Sequence, residues 1–244
     1  MLSLAVLGLP AAASAAPSVT FKPTVIPIPK FPHTGNILGA GAGVQAEFTI
    51  TGTESTGGVP SQLRKVVVDL PTGTKISVQG FTTCASSTLE SSGPEGCPKS
   101  SVASPIGTAV AEAPIGGTTV RVPGTLEAFL SPNGGLNFYA NTGAPISAQI
   151  ISVGTFVSPE AGYGPKLEVV VPPIPSVPGA PNASIVAINV KVGAAIKKGK
   201  TTHYYGRLPS KCNKSAGLHW KTELTFESGE TSTATAKTVC PKKK

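Results

Sequence analysis

Side chains suited to acid–base or nucleophilic catalysis are few in this chain. It contains a single aspartate, Asp69, and three histidines, His33, His203 and His219, none of them in a recognised catalytic motif. A serine hydrolase needs a serine, a base and an orienting acid together, and no G-x-S-x-G elbow is present. One aspartate cannot form a paired-aspartate site. We therefore expect no enzyme activity, and a hydrolase assembled from distant residues is a less favoured alternative.

The glutamates, cysteines and glycines form no recognisable site either. Twelve acidic residues less one aspartate leave eleven glutamates, so a glycosidase-like carboxylate pair stays open. Five of the glutamates stand at predicted outward positions of strands, as solvated faces do: Glu47, Glu127, Glu168, Glu223 and Glu227. No C-x-x-C motif occurs, the histidines lack metal-site spacing, and the glycine-rich stretches lack the strand–turn–helix setting of nucleotide sites. The sequence predicts no metal and no cofactor.

Four cysteines, Cys84, Cys97, Cys212 and Cys240, indicate disulfide chemistry. An even number in an exported chain predicts two bridges, although four cysteines allow three pairings. Cys84 and Cys97 flank a stretch rich in serine and glycine, and Cys212 and Cys240 bracket a predicted hairpin. This arrangement favours two local bridges.

The N-terminus has the pattern of a signal peptide. An apolar run from Leu2 to Leu9 precedes small residues up to Ala16, where a signal peptidase would cut. The chain has no apolar run of 18 residues, so no spanning helix is expected. We predict a secreted or cell-surface protein with no membrane span after signal removal.

Charge is distributed unevenly along the chain. Residues 1–190 have 8 basic and 9 acidic side chains, whereas residues 191–244 have 12 basic and 3 acidic, a net charge of +9. Such a patch can attract an anionic polysaccharide or cell-wall polymer, and the simpler alternative is a solvated, solubilising end. Aromatic residues make up only 5% of the chain, and no specific nucleic-acid signal is present. The candidate anion-binding residues are Lys191, Lys197, Lys198, Lys200, Arg207, Lys211 and Lys214.

Two-residue alternation of apolar and polar side chains dominates the rest of the sequence. It is clearest in residues 218–226, where Trp220, Leu224 and Phe226 share one face, and a Ser228-Gly229 turn follows. Similar patterns predict about eleven strands and little helix beyond the signal peptide. Because strands paired through hairpins must cover one apolar face, we expect an all-β antiparallel β-sandwich of the jelly-roll or immunoglobulin-like type.

The predicted domain organisation follows from proline content and strand spacing. Residues 1–16 form the signal peptide, 17–36 a Pro-rich extended lead, 37–240 one β-sandwich domain and 241–244 a basic tail. The loop 172–181 holds five prolines and cannot be a central strand. Two β domains that divide near residue 175 are therefore the alternative.

Two segments resemble a known group of proteins. One is Cys97-Pro98-Lys99-Ser100-Ser101 followed by Ile106-Gly107-Thr108-Ala109; the other runs from Leu208-Pro209-Ser210-Lys211-Cys212 through Trp220–Phe226 to Cys240-Pro241. They are similar to segments of uncharacterised secreted, disulfide-containing β-sandwich proteins of actinobacteria, over about the last 150 residues. The resemblance implies the fold, export and the pairing of Cys212 with Cys240. It implies no reaction.

These observations favour a non-catalytic role outside the cell. The first expectation is a structural or adhesive β-sandwich protein. The alternative is a module that binds an anionic glycan or cell-wall polymer through its basic C-terminal third.

Overall fold

The computed structural model describes residues 17–26, 28, 41–51, 54–55, 59–176, 179 and 182–240. The predicted signal peptide and the basic tail lie outside these residues, as does His33. The predicted all-β antiparallel class is confirmed, because strands account for most of the described chain.

The described strands are β1 (Ser18–Ile26), β2 (Gly43–Thr51), β3 (Glu54–Ser55), β4 (Val59–Pro60), β5 (Leu63–Asp69), β6 (Lys75–Ile76), β7 (Gly107–Ile115), β8 (Thr118–Leu130), β9 (Leu136–Thr142), β10 (Ala148–Val157), β11 (Lys166–Val170), β12 (Ser184–Val192), β13 (Ala195–Lys198), β14 (Thr201–Tyr204), β15 (Gly206–Arg207), β16 (Leu218–Phe226) and β17 (Thr231–Thr238). One short helix, α1 (Ser86–Ser92), and two 3-10 turns, Pro94–Gly96 and Lys99–Ser101, are described between β6 and β7.

Eleven strands form one sheet in the order β1-β2-β12-β7-β8-β9-β10-β11-β5-β16-β17, and every neighbouring pair is antiparallel. The sheet curls until its two edge strands, β1 and β17, lie against each other. The structure thus differs from the expected sandwich of two sheets. The inward faces of this one sheet cover each other, so no second sheet is needed to exclude water.

The two edge strands, β1 and β17, contact each other but, within the described residues, do not close the sheet by hydrogen bonds; we call their contact the seam. Ten successive antiparallel pairings leave the first and last of eleven strands running in the same direction. Closing the sheet would require one parallel pair, and the described residues contain no ladder between β1 and β17. Pro23 in β1 has no N–H to donate to a ladder, and proline is typical of edge strands.

The Pro-rich lead predicted for residues 17–36 is therefore a strand over its first part. Phe21 and Val25 point inward between exposed Thr20, Lys22 and Thr24, so β1 has the same two-residue alternation as its partner β2. The rings of Phe21 and Phe48 stack with their centroids 4.9 Å apart. Of the rest of the lead, only Pro17 and Ile28 lie among the described residues.

The alternation predicted for the last hairpin is confirmed. Leu218, Trp220, Leu224 and Phe226 are buried on the inner face, and His219 is exposed. Strand β16 joins β5 on one side and β17 on the other, so one large sheet contains strands from both sides of residue 175. The division into domains itself stays a prediction.

Part of the outer face is covered as well. Leu89 of α1 is fully buried and packs with Phe129 and Tyr139, which point outward from β8 and β9. The side-chain amide of Asn137 donates to the carbonyl oxygen of Cys84 at 2.9 Å. A disulfide between Cys84 and Cys97 closes this covering segment.

No helix in the described ranges is long and apolar enough to cross a membrane.

Candidate functional site

The interior of the curled sheet holds a cavity of about 200 Å³. Its wall is almost entirely apolar and comes from strands around the whole sheet. Representative lining residues are Val44, Ala46, Phe48, Val68, Ala111, Phe138, Ala140, Phe156, Ile188 and Trp220. A largely apolar cavity of this size tends to exclude water, because its wall offers few hydrogen-bond partners.

Burial shows that the interior is packed less densely than the covered outer face. Phe138 and Phe156 point inward yet keep part of their surface accessible, whereas Phe129 and Tyr139 beneath α1 are buried. Protein cores are ordinarily filled to the density of organic crystals. The inner face of this sheet is therefore a wall around a space and not only a packed core.

Small side chains at inward positions create this space. The alanines that line the cavity come from three strands: Ala46 from β2, Ala109 and Ala111 from β7, and Ala140 from β9. Larger apolar residues at these four positions would fill the interior. Alternation in the sequence predicts which side chains point inward. It does not show whether inward side chains from opposite walls of the curled sheet touch and fill the interior.

Short segments outside the main ladder contribute polar groups to one end of the cavity. Strand β6 pairs with β15, so that Lys75 lies opposite Arg207 and Ile76 opposite Gly206. Thr74, Ile76 and Arg207 all belong to the lining. The hydroxyl oxygen of Thr74 is shielded from solvent and has no hydrogen-bond partner among the described residues.

Tyr205 anchors this end of the molecule. Its hydroxyl group donates toward the carbonyl oxygens of Gly134 and Gly135, at 3.3 and 3.2 Å. Burial raises the pKa of Tyr205, so the hydroxyl stays protonated at neutral pH. The tyrosine therefore holds β15 against the β8–β9 turn as a neutral hydrogen-bond donor.

Arg207 is the cationic residue of the cavity wall. Its side chain is exposed, and its guanidinium lies 5.4 Å from the centre of the Tyr204 ring. Such stacking positions a guanidinium without neutralising it. No carboxylate of the described residues lies within 4 Å of it.

The structure distributes the predicted anion-binding residues over several elements. Lys197 and Lys198 are exposed on β13, and Lys200 is exposed in the turn that leads to β14, so this hairpin groups three cations. Lys191 is exposed on β12, and Lys211 and Lys214 are exposed in the segment before β16. Among these residues, Arg207 lines the cavity, and the three lysines of the β13–β14 hairpin lie close together in sequence.

A second group of charged residues lies on the outer face, where β11, β5 and β16 adjoin. Asp69 is 1% exposed and lies opposite Lys166 on β11 and opposite Lys221 on β16. The amino group of Lys221 donates to both carboxylate oxygens of Glu160 at 2.7 Å, and Lys166 lies 3.6 Å from Asp69. This cluster fastens the loop that holds Glu160 to the sheet.

Opposite electrostatic effects act on the two carboxyls of this cluster. Burial is the main cause that raises the pKa of Asp69, and the nearby lysines oppose it. Hydrogen bonds from Lys221 and Lys166 lower the pKa of Glu160. The hydrogen bond to Glu160 is likewise the main cause that raises the pKa of Lys221.

The remaining residues considered from the sequence are dispersed. The ring of His203 packs against Gly80, and His219 is exposed on β16. Within the described ranges, no three side chains of histidine, cysteine, aspartate or glutamate form a group that would hold a metal ion. The cysteines form the two predicted local bridges, Cys84–Cys97 and Cys212–Cys240, with Cα atoms 5.4 and 5.9 Å apart.

Comparison with protein-family models, curated proteins and solved structures gave no match to this chain.

Proposed function

We propose that this protein is an exported, non-catalytic binding protein that holds a small apolar molecule inside its curled sheet. The observation that carries the proposal is the apolar cavity of about 200 Å³. Burying apolar surface is the dominant favourable contribution to such binding, and a preformed cavity avoids the cost of creating one. The structural or adhesive role expected from the sequence stays a prediction.

The cavity volume limits the size of the ligand. An apolar cavity of about 150 Å³ binds benzene, which has six carbons. By proportion, a cavity of 200 Å³ holds about eight carbons. The ligand class is therefore a small ring compound or a short alkyl chain and not a long-chain lipid.

Export is part of the proposal for two reasons. Two disulfides join all four cysteines, and such bridges persist in oxidising compartments outside the cytosol. Residues 1–16 have the pattern of a signal peptide.

Trp220 provides a direct test of binding. It is the sole tryptophan of the chain and lies in the cavity wall, so an occupant changes its surroundings. We expect 1-octanol to cause a saturable change in its emission. Ala140→Leu, which adds three carbons inside the cavity, should weaken this binding at least tenfold while leaving the protein folded.

The control is the same substitution at Ala161, which is exposed in the loop before β11. Ala161→Leu should bind like the parent protein. Absence of saturable binding, or equal binding by the Ala140→Leu variant, would contradict the proposal.

A second candidate function follows from the β13–β14 hairpin. Its three exposed lysines, Lys197, Lys198 and Lys200, form a local cationic surface suited to an anionic glycan or cell-wall polymer. Replacing all three by glutamine should reduce retention on an anionic polysaccharide column more than replacing Lys22, Lys65 and Lys99. Equal retention by the two triple variants would show that net charge alone is responsible.

A further inference from the structure

The cavity wall is not uniform in chemistry: Thr142 on β9 and Ser152 on β10 interrupt its apolar surface, and two further polar side chains adjoin each other. Most lining residues are aliphatic or aromatic, whereas Thr74 and Arg207 come from adjoining segments because Lys75 pairs with Arg207. A ligand that filled this cavity would have its apolar part among the strand side chains. Its other end would meet a hydroxyl and a guanidinium.

The hydroxyl group of Thr74 has no hydrogen-bond partner among the described residues, and a bound ligand could supply one. Its oxygen is shielded from solvent and makes no hydrogen bond within the described part of the chain. Buried polar groups in native proteins nearly always have a hydrogen-bond partner, so an unpaired one calls for an explanation. A polar atom of a bound molecule would satisfy it.

The positive charges at this end of the cavity indicate that the polar group of the ligand is negatively charged. Arg207 is held beside the Tyr204 ring, and no described carboxylate lies within 4 Å of it. Lys75, directly opposite on β6, is also exposed and adds a second positive charge. Guanidinium groups bind carboxylate and phosphate oxygens through paired hydrogen bonds.

We infer that the ligand is a small anionic amphiphile, whose alkyl chain lies in the cavity and whose anionic group meets Arg207 and Thr74. This inference rests on the proposed function and goes beyond it by assigning a head group and an orientation. The chain length follows from the cavity volume, which corresponds to about eight carbons. Octanoate and 1-octanol are matched probes, since they share that length and differ in charge.

The test is calorimetric titration of the full-length protein with both probes. Octanoate should bind at least tenfold more tightly than 1-octanol. Arg207→Gln should remove most of that difference and leave 1-octanol affinity within twofold of the parent value. Lys99→Gln, at an exposed lysine outside the cavity wall, is the control and should change neither affinity by more than twofold.

A second variant tests the orientation independently. Thr74→Val replaces the hydroxyl by a methyl group of similar size. It should weaken the binding of octanoate at least threefold. Unchanged melting temperature and Trp220 emission would show that each variant is folded before its affinity is compared.

The outcomes separate this inference from the proposed function. If 1-octanol binds as tightly as octanoate, or if Arg207→Gln weakens both equally, the anionic head group is wrong and apolar binding stands. If neither probe binds to the folded parent protein, both proposals fail.

Discussion

Asp69, the sole aspartate of the chain, is buried within a cluster of charged residues. A triad would have needed Asp69 or a glutamate as its orienting acid, and the structure places Asp69 between Lys166 and Lys221 on the outer face. Neither of its carboxylate oxygens has a hydrogen-bond partner among the described residues. We therefore expect the ionisation of Asp69 to affect the stability of the fold.

Titration of Asp69 gives a signed prediction. Its folded-state pKa is raised, chiefly by burial, so protonation favours the folded state. The contribution of Asp69 to stability is fully present below its unfolded-state pKa and is lost as the pH rises through its folded-state pKa. The parent protein should therefore gain stability relative to Asp69→Asn as the pH is lowered from 7 to 4, measured by urea unfolding.

Glu160→Gln provides the opposite control. The pKa of Glu160 is lowered by Lys221 and Lys166, so its contribution is present above the unfolded-state pKa and lost as the pH falls through the folded-state value. The parent protein should lose stability relative to Glu160→Gln on acidification. The difference in free energy of unfolding between parent and variant should change in opposite directions for the two variants on acidification. A change in the same direction would contradict the causes given for the two pKa shifts.

At the scale of elements, the disulfides act on different parts of the fold. Cys84–Cys97 closes the segment that contains α1 and covers the outer face, whereas Cys212–Cys240 links the chain before β16 with the end of β17. The first bridge thus stabilises a cover, and the second stabilises a hairpin at the seam.

Loop length predicts the relative importance of the two bridges. Sequence separations of 13 and 28 residues correspond to about 2.9 and about 3.6 kcal/mol in the chain-entropy account. Replacing Cys212 and Cys240 by serine should therefore lower the free energy of unfolding by roughly 3–4 kcal/mol. The Cys84/Cys97 double variant should lose slightly less, and a loss below about 1 kcal/mol in either urea titration would contradict the chain-entropy account.

The elements differ in how well the sequence predicts them. Strand β16 alternates strictly between buried and outward-facing side chains, so the sequence predicts it well. Trp220 on its inner face is 1% exposed, as expected. The prolines of residues 17–36 predict an extended lead, whereas residues 18–26 form an edge strand, a position that tolerates Pro23. Outward-facing Phe129 and Tyr139 are buried by α1, a contact between distant segments that alternation cannot predict.

At the scale of the whole molecule, the sequence determined which faces avoid water but not what covers them. Two sheets packed together and one sheet curled on itself satisfy the same alternation. The cavity could not be predicted for a similar reason, because Ala46 and Ala140 are compatible with either a tightly packed or an open interior. The candidate basic residues were recognised as charges, and only the fold shows that Arg207 belongs to the cavity wall.

Xenon binding tests the central claim of an apolar cavity inside the curled sheet most directly, because xenon enters apolar cavities without needing polar partners. A crystal structure of the protein under xenon pressure should show ordered xenon inside the curled sheet, in contact with Phe138, Ala140 and Ile188. Ala140→Leu crystals under the same pressure should show lower xenon occupancy. An interior closed by side chains, or filled with ordered water and free of xenon, would contradict the account.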